Sequence, residues 1–255
     1  NGATWADRVE ITSAVKDASW GWYATGPVHS IQLERGENAG RLIIPCDHRI
    51  GSDKWGAHVV YSDDHGQTWH LGAEDTRYPP NDSLHPNENV AVELVDGRVY
   101  FNAREHNGSD PATRVVAYSS DGGETYDAPF VAEPNIVSPV CQNSALRLAA
   151  TDQGDPVNIL LYSGPKDANN VRQNMTLRLS FDEGLTWTDD TLIHAGPAAY
   201  SDLVKLDGPH AGVLYEADNY RKITFGSFTV VPEPSTIVLL ISAALGMTIF
   251  WFRSR

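Results

Sequence analysis

The chain has 255 residues and a formal net charge of −14, with 33 acidic side chains against 19 basic ones. Phosphate binding needs clustered Lys and Arg, so these dispersed basic residues speak against a nucleic-acid partner. The only two cysteines, Cys46 and Cys141, come without a Cys-x-x-Cys or a His pair at metal spacing; each is read as a small buried hydrophobe, and neither a metal nor a cofactor is expected.

In chain order, Asn1-Gly2-Ala3-Thr4-Trp5 has the form of the end of a motif that recurs in full three times. The full copies are Ser62-Asp63-Asp64-His65-Gly66-Gln67-Thr68-Trp69, Ser119-Ser120-Asp121-Gly122-Gly123-Glu124-Thr125-Tyr126 and Ser180-Phe181-Asp182-Glu183-Gly184-Leu185-Thr186-Trp187. Their spacing is about sixty residues. In Ser-x-Asp-x-Gly-x-Thr-Trp the Asp and Gly supply a tight turn, the hydroxyls satisfy turn amides, and the closing aromatic packs on a neighbour, so each copy is expected on a β-hairpin. The partial copy at the start, and an opening Asn in place of Met, lead to the expectation that the parent protein is longer.

Between the copies lie short runs rich in β-branched and aromatic residues, at 41–45, 58–61, 90–94, 98–102, 114–118 and 158–162. Val95-Asp96-Gly97-Arg98 is a hairpin turn between two of them. No helical stripe is sustained before the tail, and no linker rich in Pro, Gly or Ser interrupts the chain before about residue 230. Several strands per period, each period with a hairpin and an aromatic, describe blades of a β-propeller. The sequence thus predicts an all-β domain over 1–230, with about four blades of a larger closed ring.

The end differs in kind. Val231-Pro232-Glu233-Pro234 leads into an uncharged stretch from Ile237 to Phe252 and then Arg253-Ser254-Arg255. A terminal apolar run flanked by Arg fits a membrane helix with its basic end cytoplasmic and the domain outside. The segment 231–255 also resembles the bacterial PEP-CTERM sorting signal. That resemblance implies an exported protein at the cell envelope or surface, a membrane-inserted C-terminal helix, and an exosortase-type processing partner.

Three polar islands could carry chemistry: 87–94, which holds Asn87-Glu88-Asn89, with Asn102-Ala103-Arg104 beyond the hairpin; 170–176, which holds Arg172; and 196–203, which holds Tyr200, with Leu214-Tyr215-Glu216. In this order, and interleaved with the repeated turns, they resemble the exo-sialidase family. Gly26-Pro27, Ile31-Gln32-Leu33 and Gly40-Arg41-Leu42-Ile43-Ile44-Pro45 carry the likeness further, from the first residue to about Phe228. The resemblance implies a six-bladed β-propeller, truncated at its N-terminus, and an exo-α-sialidase that removes terminal sialic acid from glycans with retention of configuration. It implies Tyr200 as nucleophile, Glu88 as its base, Arg104 and Arg172 as the second and third members of the arginine triad that grips the substrate carboxylate, and Glu216 as the carboxylate that orients the triad's first arginine. Arginine suits the grip because its planar fork meets a carboxylate with two charge-assisted hydrogen bonds. A phenol suits the attack because it arrives neutral at a centre that already bears an anion, and a nearby carboxylate can take its proton.

The family's Phe/Tyr-Arg-Ile-Pro arginine and its Asp acid/base have no match in these 255 residues; Arg49-Ile50-Gly51 follows the first repeat and lacks the Pro. The chain by itself is therefore expected to be inactive or nearly so. Asp47-His48-Arg49 stands where some members place substrate-facing tyrosines, and His29 and His48 are further pocket residues without a catalytic part. The alternative reading is a non-catalytic propeller that binds glycans through the same scaffold.

Overall fold

Val90-Ala91-Val92 and Val99-Tyr100-Phe101 are apolar at successive positions, and a strand that sends alternate side chains to opposite faces needs such a run only when both faces are covered. In the computed structural model, which describes residues 3–78, 84–107, 113–188 and 191–231, both runs lie in a middle sheet packed between two others.

The first sheet contains β1 (Trp20–Thr25), β2 (Ile31–Gln32), β3 (Leu42–Ile50), β4 (Lys54–Ser62) and β5 (His70–Glu74), in the order β1-β3-β4-β5 with β2 also paired to β3. The second contains β6 (Pro86–Glu93), β7 (Val99–Glu105), β8 (Thr113–Ser119) and β9 (Val131–Val137) in sequential order. The third runs through β10 (Ser144–Ala149), β11 (Ile159–Pro165), β12 (Gln173–Ser180), β13 (Thr191–Lys205), β14 (His210–Ala217) and β15 (Lys222–Thr229). All pairings are antiparallel. Strand β13 serves two units. Its residues up to Pro197 pair with β12, and those from Ala198 onward pair with β14, the change following directly on Gly196-Pro197, where Gly196 has a φ of 97°.

Packing follows from the alternation. Ala91, Phe101, Ala103 and Val115 meet Ile43, Ala57 and Val59 of the first sheet, while Val90, Val92, Tyr100 and Val116 meet Ala145, Leu160 and Tyr162 of the third. Fully burying such a side chain contributes about 1.5–3 kcal/mol. Cys46 and Cys141 are buried and unbridged, and burial pushes both thiols up to about 12.

Each full repeat closes a hairpin: β4 to β5, β8 to β9, and β12 to β13. The same bonds recur in each. Ser180 Oγ donates to Asp182 Oδ1 at 2.9 Å and accepts from Gly184 N at 2.8 Å, while Asp182 accepts from Thr186 N at 2.8 Å and Thr186 Oγ1 at 2.6 Å. Ser62, Asp64 and Thr68, and Ser119, Asp121 and Thr125, repeat this set. The backbone and hydroxyl bonds from Thr68 hold the Asp64 carboxyl down to about 2. Gly123 is required for space as well as for its φ of 89°, since a Cβ there would meet Ile43 Cδ1 at 3.0 Å and Val59 Cγ1 at 3.2 Å.

Three arginines tie the sheets together. Arg41, only 6% exposed, donates to Asp63, Glu124 and the carbonyls of Asp121 and Gly122, and so joins the first two repeats. Arg147 pairs with Glu183 of the third repeat and donates to the Glu93 carbonyl. Arg114 donates to Asn102 and to the Cys141 carbonyl.

In place of a six-bladed propeller with one C-terminal hydrophobic helix, the described residues form a curled, partly closed array. It has three units built on four-strand meanders and one of three strands. The α-helix among them is the four-residue α1 (Thr12–Val15), and no helix among them is long and apolar enough to cross a membrane. The helix expected over 237–252 lies outside the described residues. The membrane partner, the membrane-inserted location and the exosortase-type partner all depended on that anchor, and the described fold supplies none.

Candidate active site

Antiparallel register decides which residues share an edge. Pro86 at the start of β6 pairs with Glu105 at the end of β7, whereas Val99 at the start of β7 pairs with Ser119, where the second repeat begins. The repeated turns therefore mark one edge of the array, and Glu88, Arg104, Arg172, Tyr200 and Glu216 lie at the other. Glu88 is the third residue of β6, Arg104 and Glu216 are penultimate in β7 and β14, and Arg172 immediately precedes β12.

At that edge the residues converge. The Tyr200 hydroxyl donates to Glu88 Oε1, and Arg104 Nη1 lies 2.6 Å from Glu88 Oε2 and 3.3 Å from the Tyr200 oxygen. Arg172 sets its guanidinium 5.4 Å from the centre of the Tyr200 ring. Glu216 Oε2 accepts from the Tyr200 amide at 3.1 Å and so fixes the backbone that carries the phenol. Arg172 is held in turn: Nε and Nη2 donate to the Val140 carbonyl, and Nη1 donates to the Tyr220 hydroxyl at 3.0 Å.

The electrostatics suit a neutral phenol beside an anion. Burial raises the Tyr200 pKa, the hydrogen bond to Glu88 and that carboxylate's charge raise it further, and Arg104 and Arg172 oppose them. The hydroxyl thus stays protonated near neutrality and points its proton at Glu88. Arg104 and Glu88 are 14% and 16% exposed, a poorly hydrated pair whose charges act at short range.

Asp47 is the group the sequence left without a function. It is 1% exposed, and its Oδ2 accepts from Trp22 Nε1 and Asn87 Nδ2, both at 3.0 Å. Burial and then the charge of Glu88 raise its pKa to about 7. Of the two histidines set aside, His29 bonds Asp202 at 2.6 Å. His48 is fully buried on the opposite face of β3 from Asp47, 3.1 Å from His58 and stacked on Trp20, and burial lowers its pKa to about 4. Sequence reasoning missed Trp22 and Tyr220, because an aromatic in a strand or turn reads as packing; both are exposed, Trp22 at 48% and Tyr220 at 60%.

A curled array of repeat-bearing sheets, with a tyrosine, a carboxylate and two arginines at the edge away from the repeats, defines a sialidase-like partial propeller. A family model described as a BNR repeat-like domain matches residues 1–213, and the chain belongs to that family. It is 33% identical over 217 residues to a sialidase of Micromonospora viridifaciens, a match covering 84% of this chain and 32% of that protein. It is 31% identical over 251 residues to Sialidase-2 of Cricetulus griseus, covering 90% and 62% respectively. Among solved structures, the Hadza microbial sialidase Hz136 superposes with a TM-score of 0.73 at 27% identity, covering 90% of this chain and 42% of that one. A leech intramolecular trans-sialidase, complexed with 2,7-anhydro-Neu5Ac, gives 0.69 at 25% identity, covering 89% and 35%. The chain thus shares the scaffold of sialidase-type glycoside hydrolases and spans only part of the length of these relatives.

Proposed function

We propose that this chain recognises a sialylated glycan, with Arg104 and Arg172 gripping the sugar's carboxylate and Tyr200, backed by Glu88, facing its anomeric carbon. The observation that carries the reading is the joint placement of the Tyr200 hydroxyl on Glu88, of Arg104 on both, and of Arg172 against the phenol ring. Binding without efficient cleavage is the reading favoured for these 255 residues. They hold no match to the Arg-Ile-Pro arginine or to the Asp that would protonate a leaving oxygen, and general acid help is worth about two to four orders of magnitude.

A second reading is retaining hydrolysis. It is favoured by the Tyr200–Glu88 hydrogen bond, which is what transfer of the phenolic proton during attack requires. Calorimetry with N-acetylneuraminic acid tests the first reading: the chain should bind it, and Arg104→Ala should abolish binding without unfolding the protein. Absence of binding by the folded chain would overturn it. A fluorogenic aryl sialoside tests the second, since turnover at rates near those of complete sialidases would displace the binding reading.

A further inference from the structure

The face of the first sheet turned away from the second is covered by one strap of chain. It starts at Ile11, forms α1, turns at Asp17 and Ser19 and enters β1, and its Ile11, Val15 and Tyr23 pack with Ile44, Cys46, Val60 and Trp69. Two fully buried histidines, His48 of β3 and His58 of β4, stand in this otherwise apolar seam. The strap's Trp20 stacks on His48, with ring centres 4.2 Å and planes 12° apart, and lies 4.5 Å from His58; Tyr23 lies 5.2 Å from His58. The sheet leaves room for the His48 ring at Gly56, where a Cβ would meet its Cε1 and Nε2 at 2.8 Å.

Counting protons shows what this pair tolerates. The two Nδ1 atoms are 3.1 Å apart, so one carries a proton and the other accepts it. With the proton on His58, His48 is protonated at Nε2 and donates to the Tyr78 oxygen at 2.7 Å, which leaves His58 Nε2 bare and without a partner. The reverse arrangement would bury an N–H at His58 Nε2 with no acceptor. A third proton has only two places to go. At His48 Nδ1 it meets the N–H of His58 head on, and at His58 Nε2 it is buried without an acceptor, so the closed seam holds two neutral rings and excludes a charged one.

We propose that the His48–His58 pair is an acid-released latch, which holds the strap from Ile11 to Tyr23 on the first sheet at neutral pH and lets it lift when the rings take up a further proton. Release uncovers Cys46 and Val60 and draws β1, with Trp22, away from Asp47. A free histidine titrates near 6.5; burial lowers His48 to about 4, and burial with the charge of His48 lowers His58 as well. The closed strap thus binds a proton less tightly than the open one, so its hold is full above about pH 6.5 and is lost as pH falls toward 4. The other groups facing the pair are Glu74 of β5, 3.7 Å from His48 Nε2, Tyr78 with Asp75 and Lys54 beside it, Cys46 of β3, Tyr23 of β1, and Asp17 and Lys16 of the turn before β1. The charge of Asp17 favours a proton on His48, but burial outweighs it. Glu74, raised by burial and then by Asp17, takes its own proton more readily in the closed state and so opposes release.

The two thiols of the full chain provide the test. Cys46 lies under the strap, and Cys141, equally buried, lies away from it just before β10, so each reports on a different region. Labelling by 4,4′-dithiodipyridine is followed at each site by peptide mass spectrometry, with each rate divided by that of the urea-unfolded chain at the same pH. Between pH 7 and pH 4 the relative rate at Cys46 should rise on the order of a hundredfold, and that at Cys141 should stay low. The double variant His48→Phe/His58→Leu keeps a ring under Trp20, removes both titrating groups together, and should cut the rise at least tenfold. Equal quickening at both thiols would overturn the latch by showing global acid unfolding, and so would an unmoved Cys46 or a rise undiminished in the variant, which would pass the effect to Asp17. Should the variant fail to fold, imidazole NMR of the wild type decides: His48 and His58 should become charged over the same pH range in which Cys46 becomes reactive. Charging with Cys46 still protected, or exposure of Cys46 with both rings neutral, would overturn the proposal.

Discussion

On the hydrolytic reading proposed above, two demands would meet on the Tyr200 oxygen: it would have to stay protonated until attack, and to have somewhere to send the proton. Burial and the charge of Glu88 meet the first, and the hydrogen bond to Glu88 meets the second. Tyr200→Phe keeps the ring against Arg172 and leaves the Arg104–Glu88 pair in place, so urea unfolding should change by only about 1 kcal/mol. Any turnover of an aryl sialoside should disappear, and retained turnover would remove Tyr200 from the chemistry. Asp47 carries a pH signature. An unfolded aspartate titrates near 3.9, whereas burial and Glu88 hold Asp47 at about 7, so the folded state binds the proton more tightly. Its contribution is full below the unfolded value and is lost as pH rises through 7. Asp47→Asn should therefore flatten a decline in urea midpoint between pH 5 and pH 8, with a gain on the order of 2 kcal/mol at the upper end. An Asp47→Asn gain that is the same at both pH values would contradict this.

At the scale of elements, the repeated turn is a small hydrogen-bonded unit that the chain uses three times to close the third strand of a sheet onto the fourth. Its aspartate is central, accepting from a hydroxyl and an amide of the Thr four residues on and from the Ser two residues before. Asp182→Ala should strand the Thr186 amide and lower stability by about 2–3 kcal/mol in urea melts, while Asp182→Asn, which keeps part of the acceptor set, should cost less. Because the turn lies at the edge away from Tyr200, the loss should appear in the midpoint and not in ligand affinity of the folded protein. A change in affinity without a change in stability would reverse that assignment.

For the whole molecule, cohesion between sheets comes from apolar faces and from arginines that reach across. Arg41 is the most heavily bonded of these, joining Asp63 to Glu124 and to two carbonyls of the next repeat. Arg41→Ala takes the side-chain donor from the Asp121 and Gly122 carbonyls and leaves two half-exposed carboxylates near each other, and the expected loss is about 1–3 kcal/mol by denaturant unfolding. Hydrogen exchange should then quicken first at Ala73, whose amide bonds the Gly123 carbonyl across the same junction. Uniform quickening over all strands would show that Arg41 acts on global stability and not on the junction.

The repeats made the hairpins legible, because Ser, Asp, Gly and Thr at fixed offsets satisfy one another within eight residues and need no distant partner. The runs rich in β-branched and aromatic residues likewise foretold strands. The order of the polar islands named Glu88, Arg104, Arg172, Tyr200 and Glu216, since a resemblance preserves order along the chain. What the sequence could not carry was anything set by contact between residues far apart in it. Trp22, Asp47 and Asn87 form one network only because β1, β3 and β6 end at the same edge. The raised pKa of Asp47 likewise depends on the burial that packing imposes and on Glu88, 41 positions away. The membrane helix expected over 237–252 lies outside the described residues, and no helix among the described ones is long and apolar enough to cross a membrane. Local patterns fix what a segment can form, whereas the register of antiparallel strands fixes which side chains meet, and the chemistry of this site lives in those meetings.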